Sequence, residues 1–358
     1  MKRTTIFFIE TYFNEDLKKY FIKVINKISK YEEIILINLN FENLNFDENE
    51  LNEEITLHNI TVDFELNINK KLAKINKEKD IQNIVFLENY AINKIKENEL
   101  DKKITKILIL NQCYIGLINE ITKMEEFDFD PFYYSIPKLA NLEWNAIKKA
   151  DKIVTLSKFL LDELSKYYKK ELEHKQIYFI KTGIDKNEYT YYENDNSQWI
   201  LKSNLNFENG MRYFLKNTKV KDINPGVIIG YGSYSIKIKN KFLEKEVKNY
   251  SLVTEKKYIE LLKSVQFCLF PSVYEPWCLA LNEAMAMGKI VIVQSGKSGL
   301  TEQVKDSING FHFDFKKDSI YEFINKIQNK DLKRISLNAS KSIDKLEDTT
   351  EKLKEVLL

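Results

Sequence analysis

The chain has 358 residues, of which 44% are hydrophobic, so it is long enough for two domains and has apolar material for both cores. Its 55 basic and 53 acidic side chains nearly balance, and this excludes the large positive field that duplex nucleic acid requires. Cys113, Cys268 and Cys278 have neither metal-ligand spacing nor a disulfide pattern, and we expect reduced thiols.

The first half of the chain alternates apolar runs with amphipathic segments, as doubly wound α/β domains do. We predict a strand at 5–9, a helix at 14–29, a strand at 34–38, a loop at 38–54, strands at 55–63 and 84–87, a helix at 89–96 and a strand at 107–110. An acidic, aromatic surface loop at 124–134 and strands at 152–156 and 177–180 complete the first predicted domain.

The second half begins with a polar, turn-rich stretch between Asp185 and Ser197, which we predict to be a hinge. Strands are predicted at 199–202, 227–229, 267–270 and 290–293, with helices between them, and one or two helices at 336–358. The predicted division is an N-terminal α/β domain at 1–187, a C-terminal α/β domain at 196–335 and terminal helices at 336–358.

Two carboxylates, Glu275 and Glu283, stand in the run SVYEPWCLALNEAMAMGKIVIV. Pro276 suits the first turn of a helix and Gly288 its end, so we predict a buried helix over 277–287 with Glu275 in the loop before it. A carboxylate on such an apolar helix needs a partner, and for Glu283 alone a structural ion pair is the simpler interpretation.

A glycine-bearing turn, QSGKSGLTE, follows the next predicted strand. Gly296 and Gly299 in this turn allow backbone N–H groups to face an anion. The turn, the helix start and the two carboxylates therefore converge on the carboxyl ends of parallel strands, where α/β proteins bind ligands.

These motifs resemble the donor-binding half of retaining glycosyltransferases of the GT-B fold, in particular glycosyltransferase family 4. The stretches EWNAIKKADKIVTLS, KTGID and VIIGYGS are also similar to family motifs, so the resemblance covers roughly the last two-thirds of the chain. It implies two Rossmann-like domains that face each other across a cleft, with a C-terminal helix crossing back to the first domain.

The implied reaction moves a sugar from a nucleotide-diphosphate sugar, by default a UDP-sugar, to a glycan, lipid-linked glycan or protein acceptor. In the family pattern Glu275 lies near the transferred sugar as the catalytic residue, and Glu283 binds the ribose hydroxyls. The helix start at Trp277, Cys278 and Leu279 would offer its dipole and amides to the diphosphate. Front-side displacement of this kind needs no cofactor and no essential metal.

Several positions depart from the family pattern. Asn204 and Asn209 replace the two bases that grip the diphosphate. Lys202 and Arg212 are close enough to substitute, but a side chain one position along a strand points to the opposite face, so Lys202 would need a bulge or register shift. Cys278 takes the place of a family glycine and would crowd the donor. The predicted donor site includes these five residues and Gly232, Gly296 and Gly299.

The acceptor side carries weaker signals. Gln112 and Cys113 follow the 107–110 strand where the family often has a histidine, and neither is a good general base at neutral pH. For His58 a surface or structural role is the simpler interpretation. Asp128 and Asp130 have the Asp-x-Asp spacing outside the donor domain, where a solvated acidic loop is the simpler interpretation, so we predict no metal site.

Two main functions stay open on these residues. The intact pair Glu275 and Glu283 favours an active retaining glycosyltransferase. The two asparagines favour a weak or inactive GT-B protein that recognises glycans as an accessory subunit, and a sugar phosphorylase or epimerase is a third alternative. No apolar run of transmembrane length occurs. We expect a cytoplasmic protein, with Lys-rich stretches at 17–27 and 158–170 leaving peripheral contact with the inner face of a membrane open.

Overall fold

The structure is a computed structural model that describes residues 3–10, 15–40, 48–61, 63–96, 100–124, 132–218, 225–243 and 246–358. The chain divides into two compact units. The first comprises Met1–Gly116, Phe132–Lys181 and Glu347–Leu358, and the second comprises Leu117–Pro131 and Thr182–Leu346. Each unit is built on one sheet of parallel strands.

The first unit is an α/β domain. Its strands are Thr4–Glu10 (β1), Glu33–Leu39 (β2), Thr56–Ile60 (β3), Ile81–Phe86 (β4), Thr105–Leu110 (β5), Lys152–Thr155 (β6) and Gln176–Phe179 (β7). The helices in this part of the chain are Glu15–Ile28 (α1), Phe64–Glu78 (α2), Tyr90–Lys94 (α3), Tyr114–Ile121 (α4), Phe132–Lys149 (α5), Lys158–Tyr167 (α6) and Lys169–Leu172 (α7), with a 3₁₀ turn at Glu48–Glu50. The strand order is β3-β2-β1-β4-β5-β6-β7.

The second unit repeats this plan. Its strands are Trp199–Lys202 (β8), Gly226–Ile229 (β9), Val247–Tyr250 (β10), Phe267–Phe270 (β11), Ile290–Gln294 (β12) and Phe311–Phe313 (β13). Its helices are Met211–Asn217 (α8), Ser235–Lys241 (α9), Glu255–Lys263 (α10), Leu279–Ala286 (α11), Gly299–Gln303 (α12), Ile320–Ile327 (α13) and Leu332–Ser342 (α14). The strand order is β10-β9-β8-β11-β12-β13. The strands β9 and β10 are added on one side of β8, and β11 to β13 are added on its other side. The position between β8 and β11 is therefore a topological switch point, where α/β sheets bind ligands.

The last helix, Leu346–Leu357 (α15), groups with the first unit. The Tyr20 hydroxyl donates to Thr349 Oγ1 at 3.1 Å, and Asn83 Nδ2 donates to the carbonyl of Leu357 at 2.9 Å. The Lys152 ammonium donates to the carbonyl of Val356 at 2.6 Å. These hydrogen bonds join α15 to α1 and to two strands of the first sheet.

The central strands of both sheets are continuous apolar runs because helices cover both faces of a parallel sheet. In the first unit Ile6, Phe8 and Phe86 are fully buried, and the rings of Phe8 and Phe86 stack with centroids 5.3 Å apart. In the second unit Trp199 packs edge-on against Phe214 at 5.8 Å. Two separate hydrophobic cores therefore form, as the length of the chain predicts.

Most predicted strands match observed ones, but helix α4 was not predicted and α5 begins inside the predicted loop 124–134. Helix α2 was not predicted, although Ile68, Leu72 and Ile75 recur at helical spacing and are buried, because Lys and Asn dominate its other positions. Strands β10 and β13 lie at the two edges of the second sheet and were too short to recognise. The predicted loops extend into 41–47 and 125–131, so Asp128 and Asp130 lie outside the described residues.

Helix α11 was predicted to begin at Trp277, and this was wrong by two residues. Cys278 has an extended backbone, with φ −138° and ψ 106°, and the helix begins at Leu279. The residue order Pro276, Trp277 therefore forms the approach to the helix rather than its first turn. Within the described part of the chain no helix is long and apolar enough to cross a membrane, and no cluster of His, Cys, Asp and Glu could hold a metal ion.

The close packing of Gly210, in the loop after β8, can be tested by substitution. Its φ is +75°, and a Cβ atom there would lie 1.9 Å from the Pro271 carbonyl oxygen in the neighbouring loop. Because Gly210→Ala meets both backbone strain and backbone overlap, we expect unfolding free energy to fall by about 3 kcal/mol in urea titrations. Gly296→Ala, at φ +113° with no atom within 4 Å, should cost only about 1 kcal/mol. Equal losses would contradict the role of the Pro271 contact.

Candidate functional site

Three loops of the second unit leave the carboxyl ends of β8, β11 and β12, which are neighbours in the sheet. The loop after β11 carries Glu275, and its backbone is tied to both other loops. The N–H of Val273 donates to the carbonyl of Glu208 in the β8 loop at 3.1 Å, and the N–H of Gly299 donates to the carbonyl of Glu275 at 2.8 Å. The loop after β11 therefore contacts both of the other loops at this sheet edge.

Gly299 has a packing role in this arrangement. A Cβ atom there would lie 2.1 Å from the Pro276 carbonyl oxygen, so only glycine lets the two loops approach this closely. Since its N–H is bonded to Glu275, Gly299 does not present that N–H to an anion, contrary to our expectation. At Gly296, in contrast, the space around a Cβ position is open.

Glu275 is a half-buried carboxylate with defined partners. Burial raises its pKa to about 8; hydrogen bonds from the Ser272 hydroxyl and the Trp277 N–H oppose this increase, and the nearby charge of Glu208 adds to it. Asn209 Nδ2 lies 3.5 Å from Ser272 Oγ, so Asn209 and Glu275 share one hydrogen-bond network. A carboxyl group that titrates near neutral pH at a sheet edge is typical of a reaction site.

Glu283 is buried on α11, and its partners include Tyr189 and Lys202 from distant parts of the sequence. The Tyr189 hydroxyl lies 3.2 Å from Oε1, and the Lys202 ammonium lies 3.7 Å from Oε2. Lys202 also stacks on the ring of Tyr258, with Nζ 4.2 Å from the ring centroid. The ammonium therefore balances the charge of the buried carboxylate.

The role of Lys202 at the diphosphate stays a prediction. Strand β8 pairs with β9 in regular register up to Lys202 and ends there, so neither a bulge nor a register shift is present. The side chain nevertheless reaches Glu283. The structural and functional interpretations of Glu283 are compatible, because the ion pair lies at the same sheet edge as the loops.

The remaining residues of the predicted donor site lie around this edge. Asn204 is exposed, and Arg212 is half-buried in the first turn of α8. Gly232, in the loop after β9, donates its N–H to Ser235 Oγ at 2.8 Å. A Cβ atom on Gly232 would lie 2.2 Å from Asn206 Oδ1, so this glycine also permits close loop packing.

The residues that precede α11 are largely engaged within the protein. Trp277 Nε1 donates to Thr182 Oγ1 at 2.6 Å, and the ring is buried. Burial raises the pKa of the Cys278 thiol well above its usual range, so the thiol stays protonated. Leu279 is buried as the first residue of the helix. Trp277 and Leu279 therefore fix the position of α11.

On the predicted acceptor side, Gln112 is half-buried at the carboxyl end of β5. Cys113 is fully buried in the core of the first unit, so its side chain is not available to an acceptor, contrary to expectation. His58 on β3 is half-buried, and burial and the charges of Lys71 and Lys74 lower its pKa. The histidine is therefore neutral at pH 7.

Three buried carboxyl groups of the first unit were missed by sequence analysis. Glu10 ends β1, Glu88 follows β4, and Glu143 lies on α5. Burial raises the pKa of Glu10 and of Glu143 to about 8. The pKa of Glu88 is raised well above its usual range by burial and by repulsion from the other two carboxyl groups. The sequence did contain a signal for two of them, because Glu10 and Glu88 directly follow the apolar runs FFI and VFL.

The partners of these carboxyl groups are mostly neutral donors. The Ala91 N–H donates to Glu10 Oε1 at 2.6 Å, and the Tyr168 hydroxyl donates to Glu143 Oε2 at 2.5 Å. Glu88 is hydrogen-bonded to Asn111 and has a φ of +141°, a strained backbone for a residue with a side chain. Strain and buried acids at the carboxyl edge of a sheet are features of ligand-binding regions.

Comparisons with known proteins agree with this geometry. Residues 193–342 match the family model of glycosyl transferases group 1. A glycosyltransferase from Rickettsia africae ESF-5 is 15% identical, with a TM-score of 0.73 and 99% of this chain and 98% of that chain covered. Sucrose-phosphate synthase from Thermosynechococcus elongatus is 12% identical, with a TM-score of 0.78 and the same coverage. HepE from Anabaena, in complex with UDP-glucose, is 15% identical, with a TM-score of 0.74 and 99% of both chains covered.

At these identities the structural likeness establishes the fold, and no curated protein sequence matches the chain. The family match covers β8 to α14 and includes Lys202, Glu275 and Glu283. Residues 193–342 therefore resemble a glycosyl transferases group 1 domain, in a chain with the GT-B fold of two parallel-sheet α/β domains.

Proposed function

We propose that the protein is a retaining glycosyltransferase that moves a sugar from a nucleotide-diphosphate sugar to a glycan, lipid-linked glycan or protein acceptor. The observation that carries the proposal is the convergence of Glu275, Glu283 and Lys202 at one sheet edge within the residues that match the group 1 family. A UDP-sugar is the default donor, and the structure of HepE with UDP-glucose supports this choice.

In the proposed donor complex, Glu283 accepts hydrogen bonds from the ribose hydroxyls. A carboxylate has about four acceptor sites, and Tyr189 and Lys202 hold this carboxylate at the sheet edge. The ammonium of Lys202 favours the ionised form of Glu283, and ionised acceptors make the stronger hydrogen bonds. Glu283 is thus suited to hold the nucleoside end of the donor.

The diphosphate gains negative charge as the glycosidic bond breaks, and the site must stabilise that charge. Arg212 is the proposed cationic partner, with amide donors from Asn204 and Asn209 and backbone N–H groups near Gly296. Because neutral amides stabilise an anion less than charged side chains do, we expect slow turnover. The proposal includes no resident metal or other cofactor.

Retention follows in this proposal if the departing phosphate accepts the proton of the acceptor hydroxyl on the same face of the sugar. Glu275 would then stabilise the positive charge that develops on the sugar ring. A lipid-linked acceptor would require contact with the inner face of a membrane, for which the Lys-rich stretches 17–27 and 158–170 are candidates. The group 1 match favours this enzyme over an inactive accessory subunit.

A donor screen tests the proposal. Thermal unfolding of the purified protein should be measured with UDP-, GDP- and ADP-sugars, together with release of the nucleoside diphosphate and the anomeric configuration of the product by NMR. We expect one nucleotide sugar to raise the melting temperature and to be turned over with retention. Absence of any stabilisation, or inversion of the anomeric centre, would contradict the proposal.

The role of Glu283 is tested by substitution. Glu283→Ala should weaken nucleotide binding about tenfold or more and lower turnover with it, because hydrogen bonds to a charged group are lost. Glu260→Ala, an exposed glutamate on α10 that pairs with Lys257, is the matched control and should bind the nucleotide as the wild type does. Unchanged binding in Glu283→Ala would contradict the ribose contact.

A further inference from the structure

Tyr189 is bonded to two carboxyl groups from different helices of the second unit. Its hydroxyl lies 3.2 Å from Glu283 Oε1 on α11 and 3.1 Å from Glu255 Oε1, at the start of α10. The residue is 5% exposed, so the contacts are shielded from water. Tyr189 belongs to the segment between β7 and β8, and the motifs found in the sequence do not include it.

A phenol has one proton, so Tyr189 can donate to only one of these two carboxylates at a time. The Lys202 ammonium, 3.7 Å from Glu283 Oε2, stabilises the ionised form of Glu283 and makes it a strong acceptor. A proton directed to Glu283 fixes the plane of that carboxylate together with Lys202. The two oxygens of Glu283 are then held in one orientation.

We propose that Tyr189 is a positioning residue that orients Glu283 toward the ribose of the donor and thereby sets the preference for ribonucleotides. The inference rests on the proposed function, because it assumes that Glu283 binds ribose. Tyr189 acts through Glu283 and does not itself touch the donor. Glu255 Oε1, 3.1 Å from the same phenol oxygen, competes with Glu283 for the phenol proton.

This role differs from a general contribution to folding in one measurable respect. A misoriented Glu283 loses its contact with the ribose hydroxyls, but the contacts with base and phosphate remain. Affinity for a ribonucleotide should therefore fall, and affinity for the matching 2′-deoxynucleotide, which already lacks one of the two hydroxyl contacts, should fall less. The ratio of the two affinities reports the contact with the 2′-hydroxyl alone.

The test is isothermal titration of the full chain with UDP, GDP and ADP and with their 2′-deoxy forms. For the nucleotide that binds, we expect the wild type to prefer the ribonucleotide about tenfold. Tyr189→Phe should reduce this preference to about twofold or less, chiefly by weakening ribonucleotide binding. Tyr191→Phe is the matched control, because Tyr191 lies in the same segment as Tyr189 and its hydroxyl contacts Ser336 Oγ at 3.2 Å. It should keep the wild-type preference.

A second variant, Glu255→Gln, keeps Tyr189 intact. Its amide competes less for the phenol proton than a carboxylate does, so the ribose preference should stay equal or rise. A fall would contradict the assignment, as would a Tyr189→Phe variant that weakens both nucleotides equally or neither. If the wild type binds no nucleotide, the proposed function itself fails and this inference with it. Wild-type binding with an unaltered Tyr189→Phe preference overturns this inference alone.

Discussion

Glu275→Gln should lower kcat by about a hundredfold to a thousandfold while leaving nucleotide affinity within about threefold. The amide keeps the shape of the side chain and its contact with the Trp277 N–H, but it loses the negative charge. If Glu275 stabilises positive charge on the sugar ring, the loss falls on the transition state and not on donor binding. Steady-state kinetics combined with nucleotide titration separates the two effects. An unchanged kcat would show that the transfer site has been wrongly placed.

The pH dependence of this reaction gives an independent check. Burial raises the pKa of Glu275 to about 8, so the carboxyl is mostly protonated below that pH. Because the ionised form is the one that stabilises positive charge, kcat/KM should rise with pH through about 8 in the free enzyme. Glu208 contributes to the raised pKa through its negative charge, so Glu208→Gln should move this rise to lower pH. A rise that keeps its position in Glu208→Gln would contradict the assignment to Glu275.

The group of residues from Glu275 to Gly299 could be predicted because its members are close in the sequence. Carboxyl ends of neighbouring parallel strands meet at one edge of the sheet. The residues of a motif that spans β11 to α12 must therefore lie near one another. The Gly299 contact with Glu275 is one example. Its use for loop packing instead of anion binding could not be predicted, because the pattern is the same in both cases.

The partners of Glu283 could not be predicted, because they depend on tertiary packing. Tyr189 is 94 positions away in the sequence, and the hinge composition that surrounds it suggested only a linker. Lys202 was predicted as the last residue of its strand, but its contact with a side chain on α11 depends on how the helix packs on the sheet. The missed helix α2 has a different cause, since its three buried apolar residues, Ile68, Leu72 and Ile75, were visible among many polar ones.

The protein should lose stability as pH rises from about 5 to 8, because of the buried carboxyl groups of the first unit. Glu10 and Glu143 have pKa values of about 8 in the folded state, against 4.5 for an unperturbed glutamate, and the pKa of Glu88 is raised well above 4.5. Between pH 4.5 and about 8 the folded state binds more protons than the unfolded state. Each carboxyl therefore lowers the unfolding free energy by up to about 1.4 kcal/mol per pH unit.

Glu10→Gln is the cleanest variant for this effect. A glutamine can keep the hydrogen bond from the Ala91 N–H, and it has no charge to bury. The slope of unfolding free energy against pH should decrease by about 1.4 kcal/mol per unit between pH 5 and 8, so the variant should be more stable than the wild type at pH 8. Urea titrations at four pH values measure this slope. The control is Glu78→Gln, on the exposed face of α2.

The same physical cause, burial of a carboxyl group, has opposite consequences for activity and stability. In the second unit, rising pH ionises Glu275, and we expect transfer to become faster. In the first unit, rising pH ionises Glu10 and Glu143 against a desolvation cost, and we expect the fold to weaken. Glu10→Gln should therefore extend the range of stable activity to higher pH without moving the rise in kcat/KM. A rise that moves with Glu10→Gln would show that the first unit's carboxyl groups control the reaction instead of Glu275.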